Sequence, residues 1–263
     1  MKINFAARVD IGPKATNDDR VLMAGQVLGV TSCSAVADAP VTVAVCDGCG
    51  GYAGGGIAAE TVLNLLCAAD AGALGTEDEL AELLQRCQSA VMDKKAQMPQ
   101  YEAMCTTVAG CVFHEDRTLI FHSGDSRVYR FDRWGLTAMT RDHSVVRELI
   151  DMGEIKPEDV PTHPRRNVIT RCIGVPCLPP DLYLSQNPIA VGEKYLFCSD
   201  GLWETVTDMQ ISEVLGSDMT LGEMADALVD MAIEQGAYDN ISACICAVEG
   251  ETASVERKPF VLD

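Results

Sequence analysis

Short apolar runs of alternating period dominate the chain, and stretches of helical period interrupt them at only a few places. Residues 3 to 10 and 20 to 30 read as a pair of strands joined by the turn IGPKATNDD, with Gly-Pro supplying the bend. Residues 31 to 40 read as a polar loop. The run from Val41 to Cys46 is a buried strand that ends on Asp47 and dissolves into glycine as far as Gly56. Two amphipathic helices follow. Residues 54 to 71 place Ile57, Thr61, Leu65, Leu66 and Ala69 at helical spacing, and residues 77 to 97 do the same with Leu80, Leu83, Leu84, Cys87 and Val91.

From Met104 the alternation returns, first as CTTVAGCVFH and then as TLIFHSGDSRVYRFD, where Ser123 to Arg127 interrupts the pattern as a bulge would. Val145 to Met152 is a short amphipathic helix that stops at Gly153. Residues 154 to 167 are charged, Pro-rich and aperiodic, which suits a surface lobe or flap. LYLSQ and KYLFCSD are further strands. GLWETVTDMQISEVL is a turn and a helix, and Leu221, Met224, Leu228 and Met231 mark another helix before the Asp239 loop and the strand ISACICAVE. The tail from 251 to 263 begins polar and is expected to fray. Strands cluster and helices come in pairs without strict alternation. That order predicts an α+β fold, with sheets packed on each other and helices outside, and not a doubly wound parallel sheet.

Composition narrows the partners. At 263 residues the chain suits one large domain or one domain with an inserted lobe. Lys+Arg 20 against Asp+Glu 39 gives a net charge of -19, which repels nucleic acid and anionic membranes. The twelve cysteines mostly sit inside apolar strands, MKINFAARVD has no apolar leader core, and no apolar run is long enough to span a bilayer. These features predict a reduced, cytoplasmic protein. Cys46 and Cys49 form a C-x-x-C, but they straddle Asp47 in a glycine loop and open no helix, unlike a redox couple.

The candidate chemistry lies in carboxylates at strand ends: Asp19, Asp47, Asp125, Asp200 and Asp239. No His or Cys cluster accompanies them in sequence, and oxygen donors alone select Mg²⁺ or Mn²⁺ over Zn²⁺ or Cu²⁺. Several acids in one place raise each other's pKa unless cations neutralise them, and an acid bridging two cations suits a hydrolase.

The acids stand within an ordered series: Asn17-Asp18-Asp19, Cys46-Asp47-Gly48-Cys49-Gly50-Gly51, Thr106-Thr107, Gly124-Asp125-Ser126-Arg127, Asp142-His143-Ser144, Ser199-Asp200-Gly201-Leu202-Trp203 and Asp239-Asn240. In order and spacing, over nearly the whole chain, this series resembles the type 2C metal-dependent serine/threonine protein phosphatase family, in its bacterial branch. The resemblance implies a single catalytic domain over residues 1–263 with a flap at 143–170. Its fold would be an α-β-β-α sandwich of two mostly antiparallel sheets flanked by pairs of helices. It implies hydrolysis of phosphoserine and phosphothreonine esters on proteins by a water held between two Mn²⁺ or Mg²⁺ ions.

Carried over residue by residue, Asp47 bridges two metals and the Gly48 carbonyl ligates one of them. Asp200 and Asp239 complete the pair, Asp19 acts on or just behind it, and Asp125 with Asp200 holds a third metal. Thr106 and Thr107 are expected to pack the core, Arg127 to pair with an internal acid, and Asn240 to order the last loop. Three departures bear on the chemistry. Lys14 stands where the family usually has a phosphate-gripping Arg, which keeps the charge and loses the fork. Cys49 replaces a His or Met and is expected to have no catalytic role. Glu204 replaces an Asp and bears on the third metal. The implied partners are phosphorylated proteins and a serine/threonine kinase, with the phosphatase a monomer. The alternative is an inactive relative that binds a phosphorylated partner.

Overall fold

The computed structural model describes residues 1–49 and 54–248, so Gly50, Gly51 and the tail from 249 onward lie outside the described residues. In chain order, β1 is Lys2–Asp10, β2 Arg20–Met23, β3 Gln26–Leu28, β4 Thr31–Asp38, β5 Val41–Cys46 and β6 Gly48–Cys49. Helices α1 (Gly54–Ala68) and α2 (Glu77–Gln97) precede β7 (Cys105–Thr106), β8 (Val108–Phe113), β9 (Thr118–Ser123), β10 (Arg127–Asp132) and β11 (Gly135–Ala138). Then come α3 (Val145–Asp151), β12 (Asp181–Ser185), β13 (Lys194–Cys198), α4 (Asp200–Trp203), α5 (Asp208–Leu215), α6 (Leu221–Glu234) and β14 (Ile241–Val248).

Two six-stranded antiparallel sheets face each other, in the orders β11-β10-β13-β14-β1-β4 and β12-β9-β8-β5-β2-β3, with a small β6-β7 ladder beside them. Period-two alternation sorts each buried strand between two cores. In β5 every residue is buried: Val41, Val43 and Val45 enter the space between the sheets, while Ala44 and Cys46 face α1 and α2. In β14, Cys244 and Cys246 face the other sheet, and Ala243 and Ile245 lie under α5 and α6. The layers are therefore helix, sheet, sheet, helix, the sandwich that the family resemblance implies. Phe113 links the sheets by edge-to-face contacts with Tyr195 and Phe197, at ring-centre distances of 5.1 and 6.4 Å. The helices start where the sequence can cap them. Thr76 with Glu79, Thr207 with Gln210, and Thr220 with Glu223 form reciprocal capping boxes on α2, α5 and α6.

Register brings the strand ends that matter to one edge. The end of β1 meets the start of β14 (Asp10 opposite Ile241), and the start of β2 meets the end of β5 (Arg20 opposite Cys46). The start of β10 meets the end of β13 (Arg127 opposite Cys198), and Cys198 lies opposite Ala243. The loops carrying Asp19, Asp47, Asp125, Asp200 and Asp239 all leave this edge.

Three local expectations are corrected. Residues 3 to 10 and 20 to 30 are not paired strands: β1 and β2 belong to different sheets, and 20 to 30 folds on itself as the β2–β3 hairpin through Ala24 and Gly25. Residues 31 to 40 are not a loop. Thr31–Asp38 is an edge strand whose alternate residues Cys33, Ala35 and Ala37 pack on the core, hidden in the sequence by small side chains. Ser123 to Arg127 is not a bulge, because β9 and β10 lie in different sheets and the chain crosses between them at Gly124, with φ +118°.

Among the described residues, no helix is long and apolar enough to cross a membrane. The twelve cysteines are all free thiols. The inter-sheet core makes a direct stability prediction: Phe113→Ala should cost about 3–5 kcal/mol in urea unfolding, since Phe113 is fully buried between both sheets. A loss under about 1 kcal/mol would place Phe113 outside a tightly packed core.

Candidate active site

Asp47 leaves β5 with its backbone held on both sides. Its N–H donates to Thr107 Oγ1 at 2.9 Å, and its carbonyl accepts from the Thr107 N–H at 2.8 Å and the Thr106 hydroxyl at 2.9 Å. Thr107 Oγ1 is itself 2.6 Å from Ser126 Oγ, which ties the Asp47 loop to the turn carrying Asp125. The two threonines are buried, as expected, but they also clamp the backbone of the central acid. Their small size suggested packing; their hydroxyl partners come from distant segments that sequence spacing does not reveal.

Glycine is needed where these loops touch. A Cβ on Gly48 would lie 2.2 Å from the Gly55 carbonyl carbon, and one on Gly201 would lie 2.1 Å from the Asn240 carbonyl oxygen. The first contact seats the Gly48 backbone against the start of α1. The second lets the Asp200 and Asp239 loops lie side by side. Asn240 fastens the arrangement: its side-chain amide donates to the carbonyls of Ile11 at 2.8 Å and Thr16 at 3.0 Å, and its oxygen accepts from the Asp18 N–H at 2.8 Å. It therefore orders the last loop together with the β1–β2 loop. Asp18, which reads as an ordinary turn residue, accepts from the Gly56 N–H at 3.0 Å and satisfies a donor in the first turn of α1.

Asp19 is buried, with one carboxylate oxygen accepting from the hydroxyls of Ser199 at 2.6 Å and Ser242 at 2.7 Å. Burial and the charges of Asp200 and Asp239 outweigh those hydrogen bonds and push its pKa up to about 7. Burial, with Asp239 next, pushes Asp200 up to about 6. Asp47 and Asp125 are pushed well above the ordinary carboxylate value by burial and then by Asp200. Glu204 is pushed up to about 7 by burial and then by Asp200, so it belongs to the same field. Lys14 donates to Asp239 Oδ2 at 2.8 Å, and that hydrogen bond raises the lysine pKa. Its ammonium is engaged with a carboxylate of the cluster and stands at the mouth of the site.

The structure thus brings Asp19, Asp47, Asp125, Asp200, Asp239, Lys14 and Gly48 to one edge. Arg127 makes a forked pair with Asp142 at 2.8 and 2.6 Å, the internal acid it was expected to find, and its guanidinium lies 3.5 Å over the Trp203 ring. Trp203 Nε1 donates to the Asp125 carbonyl at 2.9 Å, joining the Asp200 helix to the Asp125 turn. His143 accepts from the Gly124 N–H at 3.2 Å and meets Asp181 Oδ2 at 3.0 Å. His122 stacks on it at 4.4 Å, a pairing invisible in sequence because β9 and the loop before α3 bring them together.

The two ends of residues 143–170 are stitched by a bridge between Ser144 and Ile169 and by the Thr170 N–H on the His143 carbonyl at 2.8 Å. Near the C-terminal end of this segment, Asn167 Nδ2 donates to Oη of Tyr238, the residue before Asp239, at 3.3 Å.

The donor set fits hard divalent cations. Its groups are carboxylate oxygens, and Asp200 Oδ1 is buried without a hydrogen-bond partner, as suits an oxygen that ligates a cation.

Known proteins share this chain's pattern. The family described as protein phosphatase 2C matches residues 28–152. The chain is 34% identical over 211 residues to the serine/threonine phosphatase stp of Listeria monocytogenes, covering 77% of this chain and 82% of that one. It is 32% identical over 250 residues to the serine/threonine protein phosphatase PstP of Mycobacterium tuberculosis, covering 94% of this chain and 45% of PstP. The crystal structure of the M. tuberculosis phosphatase PstP/Ppp superposes with a TM-score of 0.83 at 30% identity, covering 95% of this chain and all of that one. A structure of the PstP catalytic domain in complex with two manganese ions superposes with a TM-score of 0.79 at 28% identity, covering 94% and 99%.

The raised carboxyl values generate a pH test. Asp19 and Asp200 have folded-state values above 3.8, so folding without a cation takes up protons and their contribution to stability falls as pH rises from about 4 to about 7. A cation binds the ionised forms, so its stabilising effect has the opposite sign. The increase in Tm produced by saturating Mn²⁺ should grow from about pH 5 to about pH 8, with titrations elsewhere cancelling in the difference. A pH-independent increment, or one largest at low pH, would contradict the assignment.

Proposed function

The chain belongs to the protein phosphatase 2C family, and we propose the following roles for its residues. It is a metal-dependent serine/threonine protein phosphatase that uses Mn²⁺ or Mg²⁺ and hydrolyses phosphoserine and phosphothreonine esters on proteins. The observation that carries the residue assignment is the convergence of carboxylates around Asp200, with its buried oxygen unpartnered and Lys14 beside them.

Asp47, Asp200, Asp239 and the Gly48 carbonyl would hold two cations, Asp47 between them. When bound, the cations supply Lewis acidity to the phosphoryl oxygens and make a water nucleophilic near neutral pH. The chain's own contribution is to hold the donors still. The Thr106–Thr107 clamp sets the direction in which Asp47 leaves its strand, so the carboxylate need not reorganise during turnover. Asp19, fixed by Ser199 and Ser242, would act on the cations directly or from just behind their ligands. Lys14, within hydrogen-bond distance of Asp239, would meet the substrate phosphate as a point charge rather than a fork. Asp125, with Asp200, would supply donors for a third, weaker cation, with Glu204 in the same field.

We read residues 1–263 as one catalytic domain and 143–170 as a flap that selects substrate, since Asn167 touches Tyr238 next to Asp239. A monomer is part of this reading. The twelve thiols support a reducing cytoplasm, with the substrates of a serine/threonine kinase as targets.

Hydrolysis of a phosphothreonine peptide should require Mn²⁺ or Mg²⁺, stop in EDTA, and fall roughly a thousandfold or more in kcat for Asp47→Asn. Retention of activity within about tenfold would remove Asp47 from the centre of the site. Lys14→Arg should lower KM by roughly threefold by restoring a forked contact. Unchanged KM and kcat would mean that this position does not touch phosphate.

A further inference from the structure

Beside the carboxylates, three thiols from three segments meet. Cys49 of β6 lies directly opposite Cys105 of β7. Cys172 precedes Ile173, which forms a β-bridge with Thr106 of the same short strand. The three sulfur atoms lie within 4.8 Å of one another, with Cys105 and Cys172 buried and Cys49 half-buried. Most of the chain's other cysteines are spread through the apolar cores, as Cys244 and Cys246 are, and pack as small hydrophobes. A triangle of sulfurs is a different arrangement, because each thiol faces two others as well as apolar neighbours.

The spacing suits coordination. Thiolates around a tetrahedral zinc ion at about 2.3 Å stand roughly 3.8 Å apart, so these sulfurs need close by no more than about 1 Å. Hydrogen bonds with Cys172 and then Cys49 lower the Cys105 pKa, and the charge of Lys95, whose Nζ is held on the Gly174 carbonyl at 2.6 Å, adds a smaller push the same way. Access exists as well. A cavity of about 320 Å³ borders Cys172 and is lined by Cys177, Leu178 and Pro180, with Cys177 exposed and its thiol 3.2 Å from the Cys172 carbonyl.

We propose that Cys49, Cys105 and Cys172 form a second cation site, separate from the carboxylates, for a thiophilic divalent ion of the zinc class. The two sites divide ions by hardness: sulfur takes zinc or cadmium, and the carboxylates take manganese or magnesium. On binding, the protons still carried by the three sulfurs pass to the buffer, three sulfur–cation bonds form, and no oxidation state changes. The bound ion ties β6 to β7 and to the Cys172 segment. Those strands carry the Gly48–Thr106 pair and the threonine clamp, so the site braces the loop that presents Asp47.

The test titrates fully reduced protein with Cd²⁺ in excess Mg²⁺, which occupies the carboxylates, and follows the ultraviolet thiolate-to-cadmium charge-transfer band. The band should reach its end point at one Cd²⁺ per chain and be reversed by Zn²⁺. Cys49→Ser, Cys105→Ser and Cys172→Ser should each weaken binding by at least about 100-fold, because loss of a direct ligand exceeds the usual effect of losing a supporting partner. Cys33→Ser and Cys67→Ser, outside the triangle, should leave end point and affinity unchanged. The three variants lie on different segments, so any one that melts cooperatively decides the matter. No band in the parent protein, or an undiminished band in a folded variant of the three, overturns the proposal. Phosphatase turnover does not enter the readout, so failure here is distinct from failure of the catalytic assignment.

Discussion

Like charges confined in one poorly solvated place are the constraint on which the site depends. Asp19, Asp47, Asp125 and Asp200 share a small volume, and each raises the cost of ionising the next. Without cations, a relaxed loop would swing such groups into water. Here the backbone prevents it. The threonine clamp on Asp47, the two serine hydroxyls on Asp19, and the Asn240 amide on the β1–β2 loop leave the acids no easy retreat. The raised carboxyl values relieve this repulsion by protonation, and a cation would take the place of those protons.

The sandwich makes this confinement possible. Antiparallel register brings the ends of β1, β5, β9 and β13 and the starts of β2, β10 and β14 to a common edge, and the chain crosses between the sheets there. Each crossing delivers an acid or one of its fasteners. The inter-sheet core, with Phe113 set against Tyr195 and Phe197, fixes the sheet separation and therefore how closely the loops approach. The Gly201–Asn240 contact shows how tight that approach is.

The site was more legible in the sequence than the pairing of its strands. Asp47, Asp200 and Asp239 stand out because an acid ending an apolar run is costly unless it has work to do, and the motif order named a family that fits them. Amphipathic helices such as Glu77–Gln97 were readable to the residue because their apolar period is long and their caps are strong. Strand β4 was not readable, since Ser, Cys and Ala alternate with little contrast in hydropathy. The change of sheet at Gly124 was hidden because alternation continues across it and a sequence carries no sheet identity. The Ser199 and Ser242 hydroxyls on Asp19, and the triangle of thiols, depend on contacts between segments far apart in the chain.

The most direct test of the account is a crystal structure of the manganese-loaded protein, phased on the anomalous scattering of manganese. Two strong peaks are expected on either side of the Asp47 carboxylate, one within reach of Asp239 and both near Asp200. Peaks that avoid Asp47, or a single peak away from these acids, would contradict it.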